Sequence, residues 1–475
     1  KRLAVRSNTS PLLLPEAKRG YAKHSAFSAA LHNMIKRIIE SILPESVLSA
    51  YHFALPHLAA VLFGFPSRKF LVIAVTGTKG KSSVSEMINA ILEEAGHKTA
   101  LINSIRFKIA EKEERNLTRM SMPGRFFIQR FLHDARVAGC TAVILEMTSE
   151  GARQHRHRAI DLDALVFTDL APEHIERHGS YEAYADAKFS IGLQLARSKK
   201  NPRVIVANAD DEQSARYLAL PVEKRVSFSL SRQNPWEAGE RGGHFTFEGE
   251  KITIHLPGEF SLKNALAACS LAHALGIDTA TIARSLGKIQ KIPGRGERID
   301  EGQAFTVVVD YAHTPDSLRA LYDAYAAPRL GSRPSHEATA GTAGPKRKLI
   351  CVLGNTGGGR DTWKRPVMGK IAYDTCDEVI LTNEDPYDED PRAIVDQMAA
   401  GMSASGGEPS KLTITIDRRE AIHEALTRAK ASDVVLISGK GTDPCICVEN
   451  GKKIPWSDAA VAREELRRLK AGLPR

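Results

Sequence analysis

The sequence predicts an α/β protein in which a doubly wound, mostly parallel sheet precedes a second, smaller α/β domain. Three observations predict it. A strand-like apolar run at 70–75 leads into the glycine-rich stretch VTGTKGKSS (75–83), and helical periodicity with a stop at Gly96 comes next. Short, continuous apolar runs of buried parallel-strand type recur at 142–147, 164–168 and 203–207, with helical stretches between them. Beyond the Pro-Gly-Arg-Gly-Glu stretch at 293–297 a second strand–helix series begins, with strands expected at 305–309, 348–353, 378–382, 411–416 and 434–438.

At 475 residues the chain has room for two or three domains, and 43% hydrophobic with 26% charged residues is the balance of a soluble globular protein. The expected divisions are a basic, helical extension at 1–67, a central domain at 68–292 and a C-terminal domain at 293–475. The central domain closes with helices at 261–275 and 281–288. Residues 328–347, rich in Pro, Gly, Ser and Ala, read as a flexible surface insertion.

The first 46 residues hold eight Lys or Arg against three Glu, which is half of the net charge of +10. Such a tail meets nucleic acid or anionic lipid, or is simply solvated. No helicase-type motif accompanies it, and no nucleic-acid partner is expected. The start lacks the charged-then-apolar-then-small pattern of a secretory signal. The stretch VLSAYHFALPHLAAVLFGF (47–65) is as long as a membrane span, but His52, Pro56 and His57 near its middle are costly in lipid. Two readings stand: a buried helical hairpin packed on the next domain, or a peripheral membrane contact. The cysteines Cys140, Cys269, Cys351, Cys376, Cys445 and Cys447 lie mostly in apolar runs and form no CxxC pair. Neither a zinc site nor a disulfide framework is expected, which fits a reducing cytoplasm.

The stretch at 75–83 has the make-up of a phosphate loop with short spacing. Only Thr78 and Lys79 separate Gly77 from Gly80-Lys81-Ser82, where the standard loop has four residues. The physics still holds. Gly77 and Gly80 permit tight turns, and the N–H groups from Thr78 to Ser83 then face an anion at the helix start. Lys81 reaches the outer phosphates as a point charge, and the Ser82 hydroxyl can ligate Mg²⁺. The bland alternative is an ordinary glycine-rich turn. A phosphate loop serves kinases, GTPases, motors and ligases alike, so other motifs must name the reaction.

Those motifs occur in one order: LEMTSEG (145–151), FTDLAPEHIERHGSYEAYADAK (167–188), NADD (208–211), PGRGERID (293–300), VDYAHTPDSL (309–318), GNTGGGRDTWKRPVMGKIA (354–372) and ISGKGTD (437–443). With the phosphate loop, this set resembles the Mur ligases over about residues 70–460. It is most similar to the type that adds the third residue of the peptidoglycan stem peptide. The resemblance implies a central ATP-binding domain followed by a Rossmann-like C-terminal domain. It also implies an ATP-dependent amide ligase: a substrate carboxylate becomes an acyl phosphate, an amine attacks, and phosphate leaves. A carboxylate is a poor electrophile, and phosphorylation supplies its leaving group. Positioning and electrostatic clamping do most of the rest.

By this resemblance Ser82 and Glu146 hold one Mg²⁺, and His174 holds a second. Lys188 matches a lysine carried as a carbamate, a carboxylate-like donor that supports the second metal. On pattern alone His174 is a cap or surface residue and Lys188 an exposed helix lysine, while His178 packs. Asn264 matches an asparagine near the adenine. Arg295, Asp310, Tyr311 and His313 match hinge and C-terminal contacts to ATP, with Asp310 suited to a ribose hydroxyl pair. As a local alternative, VDYAHTP reads as a strand end and a helix capped by Thr314 with Pro315 in its first turn. A folylpolyglutamate-synthase-like ligase with another acceptor, or a membrane-associated nucleotide-binding scaffold, are the competing readings. The expected partners are small molecules (ATP, an amino acid and a muramyl-peptide-like acceptor), acting on a cytoplasmic monomer.

The substrate ends depart from the family pattern. Arg360 matches the arginine that holds a carboxylate of the incoming amino acid, and its guanidinium fork suits that. Gly439 and Asp443 stand where the family has Gly and Glu of a GKGHE motif. Tyr387, beside Asp385, replaces the arginine of the diaminopimelate-type DNPR motif. The acidic run NEDPYDED (383–390) either welcomes a cationic amine such as lysine or ornithine, or is a solvated loop. Thr148, Gln154 and Arg156 match acceptor contacts, with Glu150 in place of a His and Met120-Ser-Met-Pro123 in place of a TTP-type motif. Residues 1–67 are too short for the mixed α/β domain that holds the uridine diphosphate in this type.

Overall fold

Eleven short strands before residue 296 share two sheets, and a third sheet lies beyond it. These are described in a computed structural model that covers residues 45–173, 175–326, 347–403 and 409–472. The largest sheet has eight strands: β1 (Leu71–Thr76), β2 (Thr99–Ile102), β3 (Arg106–Ile109), β4 (Lys112–Arg115), β5 (Ala142–Glu146), β6 (Ala164–Phe167), β7 (Val204–Asn208) and β8 (Lys224–Phe228). Their order is β4-β3-β2-β5-β1-β6-β7-β8. The pairs from β2 to β8 are all parallel; β3 and β4 extend one edge as antiparallel strands.

Alternation along the strands feeds two apolar layers, as a sheet covered on both faces requires. Ile73, Val75 and Ile144 meet Val84, Met87 and Ile91 of the helix Lys81–Glu94 and the apolar side of the helix Gly258–Ala274. Val72, Ala74, Val143 and Leu145 meet the helices Arg125–Val137 and Tyr181–Ala196. A small antiparallel sheet of β9 (Trp236–Gly239), β10 (Gly242–Phe247) and β11 (Glu250–Ile254) packs Phe245, Phe247 and Ile252 into the first layer.

The third sheet has the order β12-β13-β17-β14-β15-β16. It is formed by β12 (Glu297–Ile299), β13 (Thr306–Asp310), β14 (Leu349–Leu353), β15 (Glu378–Leu381), β16 (Leu412–Ile414) and β17 (Val434–Ser438). Only β12 runs antiparallel. The described residues from Ala50 onward form one compact unit that includes these three sheets and a two-stranded pair, Cys445–Cys447 with Lys453–Pro455. The insertion expected at 328–347 falls, except for Arg347, outside the described residues.

Two expectations are corrected. Residues 45–62 form one helix, Glu45–Leu62, that runs through Pro56; they form no hairpin. Nor is this helix buried from residue 51 on, since Tyr51, Phe53, Leu58, Val61 and Leu62 are exposed and, among 51–62, only Pro56, Ala59 and Ala60 are buried. Among the described residues no helix is long and apolar enough to cross a membrane. The second correction concerns cysteine: Cys351 on β14 and Cys376, after the helix Lys364–Thr375, form a disulfide, while Cys140, Cys269, Cys445 and Cys447 are free and buried. The two partners lie 25 residues apart on neighbouring elements, a spacing that no local cysteine motif signals.

Candidate active site

β5, β1 and β6 are neighbours, and the ladder sets Val75 opposite Glu146 and Thr76 opposite Phe167. Their C-terminal ends therefore release the phosphate loop, Glu146 and Thr168-Asp169 side by side, where open α/β sheets place ligands. Gly77 has φ 145°, and a Cβ there would lie 1.9 Å from Thr168 Oγ1. Gly80 has φ 77°, and its Cβ would lie 2.2 Å from Asn264 Oδ1. Neither position has room for a side chain, so the loop backbone seats directly on its neighbours. Asp169 pins the turn, its Oδ1 accepting from Thr78 N–H at 3.0 Å and Lys79 N–H at 2.7 Å. Gly80 makes no side-chain cap on the helix Lys81–Glu94, which leaves first-turn N–H groups directed at the site. Lys81 Nζ donates to the Thr78 carbonyl at 2.8 Å, and Ser83 is buried in the same first turn.

Ser82 Oγ donates to Glu146 Oε2 at 2.8 Å, and Ser104 N–H donates to the same oxygen at 3.0 Å. A hydroxyl and a carboxylate side by side are hard oxygen donors of the kind that Mg²⁺ takes. Lys188 lies on the helix Tyr181–Ala196, whose first turn is capped by Ser180. Its side chain is buried, not exposed: Nζ donates to the Gly77 carbonyl and sits 4.7 Å from the Tyr184 ring centroid. Burial first, and then the charge of Lys81, push the amine well below the usual lysine range. His174 lies outside the described residues. Its neighbour Glu173 is buried and bonds His313 Nε2 at 2.9 Å, while His178 packs edge-on to Tyr184.

The third sheet closes the opposite side. Both oxygens of Asp310, at the end of β13, accept backbone N–H groups, from Gly296 at 2.6 Å and Ala312 at 2.7 Å. Asp310 thus fixes the turn at 294–296, and burial raises its pKa. The Arg295 guanidinium lies 4.4 Å over the Tyr311 ring and reaches the hydroxyls of Ser82 at 3.3 Å and Ser104 at 3.1 Å. Thr314 and Ser317 form a reciprocal capping box at the helix Pro315–Tyr325. Lys79 crosses to Asp316 at 3.0 Å. A cavity of about 360 Å³, within the range of small-molecule sites, is lined by Lys81, Glu146, Asn264, Arg295, Asp310 and His313 among others.

Further along, Thr148 caps the helix Ser149–Arg153, and Arg156 bonds Gln154 Oε1 at 2.7 Å and the Met122 carbonyl. The stretch at 120–123 is thereby held against the residues matched to the acceptor. Glu150 accepts from Gln154 at 2.7 Å. On the third sheet the Arg360 guanidinium lies 4.7 Å over the Tyr387 ring. Asp385 is buried and accepts from Lys440 Nζ at 2.9 Å, Cys447 N–H at 2.7 Å and Arg119 Nη2 at 2.7 Å. Asp443 accepts from Lys440 and Arg119, each at 3.2 Å. Gly439 packs against Glu384, with Oε2 2.4 Å from where a Cβ would stand. The start of the acidic run is therefore no solvated loop: Glu384 and Asp385 are buried, and Asp385 is already paired with two cations.

Asp169 and Glu173 lie inside the motif FTDLAPE and were within reach of sequence reasoning. Ser104 and Arg119 were missed for lack of a local signal, because each acquires its partners from segments distant in the chain, whereas Lys440 stands inside ISGKGTD, three residues before its partner Asp443.

Fold and site together define an ATP-dependent, ADP-forming acid–amino-acid ligase. The comparisons agree: residues 75–272 match the Mur ligase middle domain, and residues 294–441 match the glutamate ligase domain of the Mur ligases. A UDP-N-acetylmuramoyl-L-alanyl-D-glutamate–2,6-diaminopimelate ligase of Syntrophomonas wolfei is 35% identical over 425 residues, covering 87% of this chain and 82% of the relative. A UDP-N-acetylmuramyl-tripeptide synthetase of Roseiflexus is 34% identical, over 88% of this chain and 83% of its own length. A solved structure of a UDP-N-acetylmuramoyl-L-alanyl-D-glutamate–2,6-diaminopimelate ligase superposes with a TM-score of 0.54 at 29% identity, covering 84% of this chain and 79% of the other. Folylpolyglutamate synthase of Mycobacterium tuberculosis gives a TM-score of 0.63 at 17% identity, over 82% of this chain and 93% of that one, and shares the fold. The chain belongs to the Mur ligase family.

Proposed function

We propose that this chain joins an amino acid to a carboxylate of a UDP-N-acetylmuramoyl-dipeptide-like acceptor through an acyl phosphate, in peptidoglycan precursor synthesis. The observation that carries the reading is the meeting of three groups on the phosphate loop: the Ser82–Glu146 bond at 2.8 Å, the Lys81 ammonium, and the buried Lys188 amine on the Gly77 carbonyl. The central domain, 68–292, carries the nucleotide machinery, and the C-terminal domain, 293–475, carries the amino-acid end. The loop from Gly77 to Ser83 cradles the phosphates, Lys81 steadies the outer ones, and Asn264, Arg295, Asp310 and His313 border the rest of the nucleotide.

Ser82 and Glu146 hold one Mg²⁺; His174 and Lys188 support a second. Bound Mg²⁺ supplies charge neutralisation to the transferring phosphoryl group. Lys188 serves as a carbamate: its neutral amine adds to CO₂, an N–C bond forms, and the displaced proton passes to solvent. Burial that favours a neutral amine favours this step. Thr148, Gln154 and Arg156 orient the acceptor so that its carboxylate meets the γ-phosphate. Arg360 holds the carboxylate of the incoming amino acid, and Asp385, Tyr387, Gly439 and Asp443 border its side chain. Attack by the amine then forms the amide and releases phosphate. A cytoplasmic monomer is the state this reading implies.

The test is a panel of amino acids incubated with ATP, Mg²⁺ and UDP-N-acetylmuramoyl-L-alanyl-D-glutamate, with products read by mass spectrometry. A mass increase of one amino-acid residue, with ADP release that needs both substrates, is expected. No product with any amino acid overturns the acceptor assignment.

A further inference from the structure

Arg119 belongs to the loop after β4 in the large sheet, yet its guanidinium ends in the amino-acid end of the third sheet. Nη2 donates to Asp385 at 2.7 Å and to Asp443 at 3.2 Å, while Nη1 faces the Tyr387 hydroxyl at 3.4 Å and Cys447 Sγ. Arg119 holds a left-handed backbone, φ 60°, which a long side chain adopts only when its surroundings require it. Nearby, Arg115 Nη2 donates to the Thr442 carbonyl at 3.0 Å and the Asp443 carbonyl at 3.4 Å, so the same segment is tied to the 439–443 turn twice.

The charges around this seat balance. Asp385 and Asp443 carry two negative charges, and Lys440 and Arg119 return two positive ones. Burial works against the charge of Arg119, but Asp443 and Asp385 outweigh it and raise its pKa. Beside this seat stand Arg360 over Tyr387 and the buried Glu384, whose Oε1 accepts from Thr356 Oγ1 at 2.9 Å and whose Oε2 has no hydrogen-bond partner among the described residues. One cation and one anion are the complement of an α-carboxylate and an α-ammonium, the head common to every amino acid. Between Asp385 and Asp443 themselves, no unpaired negative charge is left for a side chain.

We propose that Arg119 is a specificity-determining residue that fills the cation seat between Asp385 and Asp443, so that this ligase selects an amino acid without a cationic side-chain group. The inference rests on the function proposed above and narrows its second substrate. A tethered guanidinium sits at an effective concentration that a free ammonium cannot match. A second cation placed there would meet Lys440 and Arg119 with no acid left to pair it. Lysine, ornithine and the distal ammonium of 2,6-diaminopimelate are excluded by the same contact.

The test needs no acceptor. Lysine, ornithine, meso-diaminopimelate, alanine and methylguanidinium, as a probe of the seat alone, are titrated calorimetrically into the full chain saturated with a non-hydrolysable ATP analogue. Arg119→Ala and the neutral, polar Arg119→Gln are compared with wild type and with Arg119→Lys. Expected is a gain of about tenfold or more in affinity for the cationic ligands in the Ala and Gln variants, with the wild type and Arg119→Lys excluding them. Wild-type binding of lysine or diaminopimelate as tight as in the variants overturns the proposal, and so does the absence of any gain. Failure of the acceptor assignment reads out separately, as missing product in the mass-spectrometric panel.

Discussion

At the nucleotide end, position is set by backbone: two glycines without room for a Cβ, carboxylate-held amides of Thr78 and Lys79, and a helix start. At the proposed amino-acid end, position is set by side chains: Arg119, Lys440, Asp385 and Asp443 converge from segments up to 324 residues apart. Both ends use the C-terminal edge of a parallel sheet. The difference teaches where change is tolerated. A backbone cradle fails when any atom is added, whereas a side-chain cluster can be rebalanced by exchanging one charge.

The strongest way to break the comparison is at Lys188, whose buried amine rests on the Gly77 carbonyl of the phosphate loop. Lys188→Ala is expected to abolish turnover while the fold survives, and bicarbonate should stimulate wild type only; normal activity in the variant removes the carbamate. Next comes Gly80→Ala. With the left-handed backbone and a Cβ 2.2 Å from Asn264 Oδ1, its KM for ATP should rise about tenfold or more, and an unchanged KM would show that the loop yields. At the other end, Arg418 and Asp458 are both buried, paired at 2.8 and 2.7 Å, and Arg418 also holds the carbonyls of Asn383 and Ser438. Asp458→Asn leaves that guanidinium uncompensated. It should cost about 3–5 kcal/mol in urea unfolding, with amino-acid affinity falling before ATP affinity.

A smaller effect is carried by His157. Burial, followed by the charge of Arg158, lowers its pKa from 6.5 to about 3. The folded state then resists a proton that the unfolded state accepts. Stability is full above pH 6.5 and declines as pH falls towards 3. Denaturant midpoints across that window should fall for wild type, and His157→Gln should flatten part of the slope. The smallest effect belongs to Lys79→Ala. Its pair with Asp316 is largely exposed on the aspartate side, and losing it should shift ATP binding by less than about 1 kcal/mol.

The comparison also explains what could be read in advance. β1, β5, β6, β7, β14 and β17 are runs of Val, Ile, Leu and Ala buried on both faces, and their apolar continuity is a local property. The nucleotide end was legible for the same reason, because its glycines, Lys81 and Ser82 are adjacent in sequence. β3 and β4, with the sequences RFKI and KEER, close one side of the sheet without an apolar run, and β9–β11 are short, with glycines in β9 and β10; none was foreseen. Pro56 suggested a break where the helix in fact continues, since proline removes one hydrogen bond without forcing a turn. Arg119 was illegible because its partners lie 266 and 324 residues away, and charge pairing at that separation leaves no periodicity. The disulfide between Cys351 and Cys376 arises from adjacency in space after the chain has formed a helix between them.

Arg295 has a consequence of another kind. By bonding the Ser82 and Ser104 hydroxyls from the hinge before β12, it makes the phosphate end register where the third sheet stands. Two binding events that both favour the same seating of Arg295 are thermodynamically linked, and linkage is reciprocal. Whatever factor the nucleotide adds to the affinity for the amino acid, the amino acid must return to the nucleotide, so titrating either one with and without the other yields the same factor.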